Sequence, residues 1–219
     1  AVDDPQTLVV VNCAGRTRSI IGAQSLINAG IPNPVVALEN GTMGWHLAGY
    51  GLDHGQVRRA PNVTKNGLER SRKMADTVAK RFGVEKVSSA DLERFRTQTS
   101  EITLFVLDVR SPEEYIAGHL PGSRSAPGGQ LVQATDEYVG VLHARLILVD
   151  DTGVRATMTA SWLIQMGWDN VYVLDGGLTQ SGLEVGPEQR EVLGLGDLDV
   201  QLVEASVLNE LITAKTTVV

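Results

Sequence analysis

The stretch "TLVVVNCAGRTRSIIGAQSLINAG", residues 7–30, lies without a gap over "ARLILVDDTGVRATMTASWLIQMG", residues 144–167. Gly30 then falls on Gly167, Arg18 on Arg155, Ala23 on Ala160, Leu26 on Leu163 and Ile27 on Ile164. Cys13 falls on Asp150. Further on, "VVALENG" (35–41) matches "VYVLDGG" (171–177). Each copy reads as a buried strand, a short Gly-containing loop, a helix ending at glycine, and a second strand. Continuous β-branched runs suit strands covered on both faces. Gly30 and Gly167 suit the left-handed residue that closes a helix. Strands alternating with helices imply an α/β fold, with a central parallel sheet flanked by helices on both sides and built in tandem.

A second internal similarity sets the boundaries. "VSSADLERFRTQTSEITLFV" (87–106) matches "VEASVLNELITAKTTVV" (203–219). In the complete copy this opening piece lies far upstream of the Asp150 loop, whereas only 12 residues precede Cys13. The expected organisation is the second half of one domain (1–56), a linker (57–86), a complete domain (87–185), and a linker with the opening of a further domain (186–219). The chain thus reads as a piece of a longer tandem protein. In the alternative, the tail helps to complete the front half, within one chain or between two, although it is too short to replace that half alone.

The 57–86 linker carries nine Lys/Arg against three acids, a net of +6, in a chain of net −7. Thr64 or Asn66 can cap a helix there, and Leu68, Met74, Val78 and Phe82 recur at helical spacing. This helix is either a docking face for an anionic partner or, the commoner case, a solvated interdomain helix. The overall acidity argues against nucleic acid as a partner. No apolar run approaches the ~18–20 residues that span a bilayer, so no membrane partner is expected. The single cysteine excludes an internal disulfide and fits a reducing, cytoplasmic setting. The chain opens at Ala1 without a Met, so its native start is expected to lie elsewhere.

Residues 108–123 read "DVRSPEEYIAGHLPGS". They resemble the rhodanese signature, in which Asp-x-Arg ends a strand and Gly-His-Ile/Leu-Pro-Gly-Ala/Ser follows. With "LILVDDTGVRA" and "VYVLDGG" downstream, nearly the whole central copy resembles a rhodanese domain, and 1–56 resembles the second half of another. The resemblance implies a rhodanese-like fold in tandem repeats and sulfur transfer through a cysteine persulfide, without metal or organic cofactor. Read from the residues alone, Asp108, Arg110, Glu114 and His119 form a polar network that pins a loop. His119 has no partner pattern for a metal site.

On this reading Cys13 is the catalytic residue. The backbone amides of Ala14, Gly15, Arg16, Thr17 and Arg18 curl into an anion-binding nest beside a helix that starts at Ser19. The helix end and the permanent cations Arg16 and Arg18 are expected to pull the thiol below its ordinary value of about 8.5. The chemistry is ping-pong: Cys13 takes the outer sulfur of a donor such as thiosulfate, sulfite leaves, and a thiophilic acceptor removes the sulfur. The alternative is that Cys13 is a small buried hydrophobe, as many free cysteines are. Trp45 and His46 either wall this site or serve as a core Trp and a surface His. Related phosphatases and arsenate reductases place an arginine six residues after the cysteine. Here that position is Ser19 and the arginine comes one earlier, at Arg18, which favours sulfur over phosphate.

The central copy has a degenerate loop, with Asp150 and Asp151 followed by Gly153 and Arg155. A carboxylate cannot carry a persulfide, and two acids are expected to repel anionic donors, so this copy reads as catalytically silent, with a packing, docking or regulatory role. The competing reading of the whole is a noncatalytic rhodanese-like interaction module. Because the Asp-x-Arg half of the Cys13 domain is absent from 1–56, weak or no turnover is expected unless another chain, as in a dimer, supplies that half. The expected partners are a small-molecule sulfur donor and acceptor.

Overall fold

Leu146 to Val149 form an unbroken apolar run, and burying it on both faces organises the central copy. The computed structural model describes residues 2, 4–58, 60–179, 182–188 and 201–216. Strands β3 (Glu85–Val87), β4 (Leu104–Asp108), β5 (Arg124–Ser125), β6 (Arg145–Val149) and β7 (Val171–Leu174) pair in parallel in the order β3-β7-β6-β4-β5. Leu146 and Leu148 pack on one side with Leu107, Leu131, Ala160 and Leu163. Ile147 and Val149 pack on the other with Val87, Leu92, Phe95 and Val106. The alternation of successive side chains across a strand explains why one apolar run serves two cores.

Helices α6 (Gly128–Gln133) and α8 (Val154–Gln165) cover the first face, and α4 (Ser89–Thr97) covers the second. Helix α5 (Pro112–Ala117) follows β4, and the single turn α7 (Thr135–Tyr138) follows α6. Two capping boxes fix where α4 and α5 start, at Ser88 with Asp91 and at Ser111 with Glu114. In the second of these, Pro112 takes the first helical position, where its missing N–H costs nothing.

The first copy repeats this plan only in part. Strands β1 (Val9–Val11) and β2 (Val35–Ala37) form a separate two-stranded parallel sheet. Helix α1 (Thr17–Asn28) packs on that sheet, and α2 (Gly41–Leu47) follows β2. The expectation of strands buried on both faces fails here. Val10 is 52% exposed and Val36 44%, whereas Ile147, the counterpart of Val10, is 0% exposed. The reason is geometric: α1 covers one face of two strands, and among the described residues of the unit Ala1–Glu188 no second helix covers the other as α4 does in the central copy.

The linker helix α3 (Lys65–Phe82) starts where Thr64 accepts a hydrogen bond from the Gly67 amide, and Gly83 closes it in a left-handed conformation. It is not merely solvated. Ala75 and Val78 are buried and the helix packs along α8. Two of its cations reach across: Arg72 Nε donates to the Thr152 carbonyl at 3.1 Å, and Arg81 Nη1 reaches Asn28 Oδ1 at 3.5 Å.

Residues Ala1–Glu188 make one compact unit and Gln189–Val219 a second. Within the second, α9 (Ala205–Thr213) stands where the match of 203–219 to 87–106 puts a counterpart of α4. None of its residues is buried. The rest of the 186–219 expectation falls partly on 189–200 and 217–219, outside the described residues. No helix among the described residues is long and apolar enough to cross a membrane.

Candidate functional site

Cys13 leaves the end of β1 and enters a tight loop that runs straight into α1. The helix begins at Thr17, with Arg16 as its capping residue, two positions earlier than Ser19. The first turn of α2 holds the loop from behind. The amides of Thr42 and Met43 donate to the carbonyls of Cys13 (2.9 Å) and Ala14 (3.0 Å). Asn12 Nδ2 donates to the Thr42 hydroxyl at 3.1 Å. Gly41 has a φ of +57°, and a Cβ there would overlap the carbonyl oxygens of Cys13 and Gly15, so this close approach requires glycine. Gly177 has the same relation to the Asp150 carbonyl, with a φ of +51°. The two copies therefore share the loop-against-turn construction, although their sequences differ at the decisive position.

The thiol of Cys13 points at Ser19, with Sγ donating to Oγ at 3.5 Å, and the Ser19 hydroxyl donates to the Arg16 carbonyl at 2.8 Å. Ser19 is buried in the first turns of α1, and Cys13 is half-buried. A hydrogen bond from the Ser19 hydroxyl to the ionised sulfur is the main cause holding the thiol below its ordinary value; partial burial opposes it, and the amides of Ser19 and Gly15 and the charge of Arg18 add to it. Among the nest residues Ala14, Arg16 and Thr17 are exposed, and Gly15 and Arg18 are half-buried. Arg16 contributes its place at the helix start, and Arg18 contributes charge. Ser19 is the residue that sequence reasoning overlooked. Its signal was present, since it occupies the sixth position after Cys13, but it served there to mark the helix start and to measure loop length, not as a partner of the thiol.

In the central copy the loop is already occupied. The carboxylate of Asp150, 1% exposed, accepts from the Gly153 amide at 2.7 Å, the Arg155 amide at 3.0 Å and the Thr152 hydroxyl at 2.9 Å. Arg155 grips Glu114 with two bonds, at 2.7 and 2.9 Å, and reaches Asp151 at 2.8 Å. The Arg155 guanidinium holds the Glu114 carboxyl down to about 2, and the Arg155 guanidinium is itself held more firmly protonated by that partner. The two acids thus fill and brace the loop from within. A cavity of about 300 Å³, lined by Arg72, Asp76, Lys86, Asp151, Thr152 and Asp175, lies beside the Asp150 loop.

The expected four-residue network separates into three groups. Asp108 and Arg110 pair closely, with Nη2 to Oδ2 at 2.6 Å, and Arg110 also donates to the Gly118 carbonyl. His119 stacks on Tyr115 with ring centres 3.8 Å apart, and its Nδ1 lies 2.9 Å from the Tyr115 carbonyl. Glu114 leaves this group and serves Arg155 instead. Trp45 donates to the Gly51 carbonyl at 2.9 Å and packs on Tyr50, while His46 and His54 are exposed.

Residues 90–181 match the model of the rhodanese-like domain. The thiosulfate sulfurtransferase GlpE of Pseudoalteromonas translucida is 32% identical over 74 residues, 34% of this chain and 69% of that protein. The protein of the same name from Pseudomonas paraeruginosa is 37% identical over 74 residues, 33% of this chain and 64% of its own. A crystal structure of thiosulfate sulfurtransferase from Pseudomonas aeruginosa is 51% identical and superposes with a TM-score of 0.78 over 96% of this chain. The present chain spans 39% of the length of that molecule. With the parallel sheet, the paired loops and these relatives together, the chain belongs to the rhodanese-like sulfurtransferase family.

Proposed function

We propose that this chain moves sulfane sulfur from thiosulfate or a similar donor to a thiophilic acceptor through a persulfide on Cys13. The observation that carries the reading is the placement of the Cys13 thiol against Ser19 at the start of α1, where its acidity is raised. The Cys13 thiolate attacks the outer sulfur of thiosulfate. The sulfur–sulfur bond of the donor breaks, and sulfite leaves with the bonding pair. Arg16, at the helix start, and Arg18, in the first turn of α1, hold its oxygens, and the nest amides hold the terminal sulfur. An acceptor such as cyanide or a thiol then attacks that terminal sulfur and returns Cys13 to the thiolate. No metal or organic cofactor enters these steps. The central copy plays no part in the covalent chemistry, because Asp150 fills the place of the sulfur.

Formation of thiocyanate from thiosulfate and cyanide, measured with and without a second chain that supplies the Asp-x-Arg half of the Cys13 domain, tests the reading. Cys13→Ala is expected to abolish it. Product formation by that variant at the wild-type rate refutes the assignment. A noncatalytic interaction role is favoured for the central copy alone, by the closed Asp150 loop.

A further inference from the structure

The central copy lacks the nucleophile, yet it grips the helix that carries the Cys13 loop. Arg18, Ser25 and Asn28 are spaced by seven and three residues, so they share one stripe of α1. All three meet the neighbouring part of the molecule. Trp162 Nε1 on α8 donates to Ser25 Oγ at 2.8 Å, and Ser25 Oγ in turn donates to the Ile21 carbonyl at 2.7 Å. Arg81 on α3 reaches Asn28 at 3.5 Å. On α6, a Cβ built on Gly129 would lie 4.0 Å from Arg18 Cδ. The twin of Arg18, Arg155, is neutralised by Glu114 and Asp151. Among the described residues no carboxylate forms an ion pair with Arg18; beside its stem stands a residue without a side chain.

We infer that Gly129 and Trp162 are positioning residues for the Cys13 loop, Gly129 by seating Arg18 toward an anionic sulfur donor and Trp162 by fixing α1 through Ser25. The inference rests on the reading of Cys13 as a reactive thiol. It gives the silent copy a defined role, as the brace of its neighbour's site. The small residue leaves room for the Arg18 stem. The indole bond holds the helix whose first turns carry Ser19, the partner of the thiol.

The single cysteine makes the test clean, because any alkylation reports on Cys13 alone. Iodoacetate carries a negative charge and iodoacetamide none, so their rate ratio on the whole chain reads the local field of Arg18. Gly129→Leu, which pushes the guanidinium away, is expected to lower that ratio about threefold, the scale of moving one charge by a few ångströms near a surface. Gly129→Ala adds a methyl at ordinary contact distance and retains the wild-type ratio. Trp162→Phe and Ser25→Ala each slow both reagents about twofold to threefold at neutral pH by raising the thiol pKa, and the double variant slows them no further. A wild-type ratio in folded Gly129→Leu, or wild-type pH profiles in Trp162→Phe, overturns the inference. If Gly129→Leu does not fold, Trp162→Phe decides, because it removes one N–H and keeps an aromatic ring. Thiosulfate loading followed by intact mass runs in parallel. Absence of added sulfur on the wild type refutes sulfur transfer, and the alkylation comparison still decides the positioning role.

Discussion

Asp150 holds in the central copy the position that Cys13 holds in the first, and its carboxylate collects two amide hydrogens and a hydroxyl within its own loop. The loop therefore contains its own anion. Asp150→Ala leaves those donors buried without a partner, and a cost of about 2–4 kcal/mol in stability is expected. Urea unfolding measures it. A loss below about 0.5 kcal/mol would show that the loop does not depend on the carboxylate.

The Glu114–Arg155 pair makes stability depend on acid. Glu114 is held to about 2 in the folded chain, below the ordinary carboxyl value near ~4.3. The pair therefore contributes fully above about pH 4.3 and is lost as pH falls toward 2. Both side chains are about 40% exposed, so screening reduces the contribution to about 1 kcal/mol. Glu114→Gln is expected to lower stability by about that amount at neutral pH and to flatten the acid limb of the stability profile. Parallel acid limbs in the two proteins contradict the assignment.

Ser19 sets the reactivity of the thiol. Ser19→Ala removes the main cause of the lowered pKa, so the pH profile of Cys13 alkylation shifts upward. The rate at pH 7 is expected to fall, because less of the sulfur is then thiolate. An unchanged profile would transfer the effect to Arg18 and the loop amides.

The two copies differ in how their strands are covered. Val10→Thr, at a half-exposed position, is expected to change stability by less than about 0.5 kcal/mol. Ile147→Thr, at the matching buried position, is expected to cost about 2–3 kcal/mol. Thermal unfolding of the pair checks this. Equal losses would mean that the Val10 face is covered in solution.

Much of this architecture was legible from pattern. The apolar runs at 8–11 and 146–149, with glycines closing the helices at 30 and 167, give strands, helices and their parallel arrangement. Thr64 names the start of α3 because a hydroxyl before a helical pattern has one favourable use. Burial was less legible. Val10 and Ile147 are equally apolar, and only the presence of α4 distinguishes them. The partners of charges were hidden too. Glu114 and Arg155 lie 41 residues apart, and no local spacing announces their contact. The role of Ser19 as partner of the thiol was not legible, because a serine in the first turns of a helix is common and its meaning comes from the direction of the Cys13 thiol.

The central claim is that Cys13 accepts sulfur. Intact mass spectrometry of the wild-type chain after incubation with thiosulfate tests it most directly. The account predicts a gain of one sulfur atom, removed by cyanide and absent in Cys13→Ala. An unchanged mass in folded wild-type protein, or the same gain in Cys13→Ala, would contradict it.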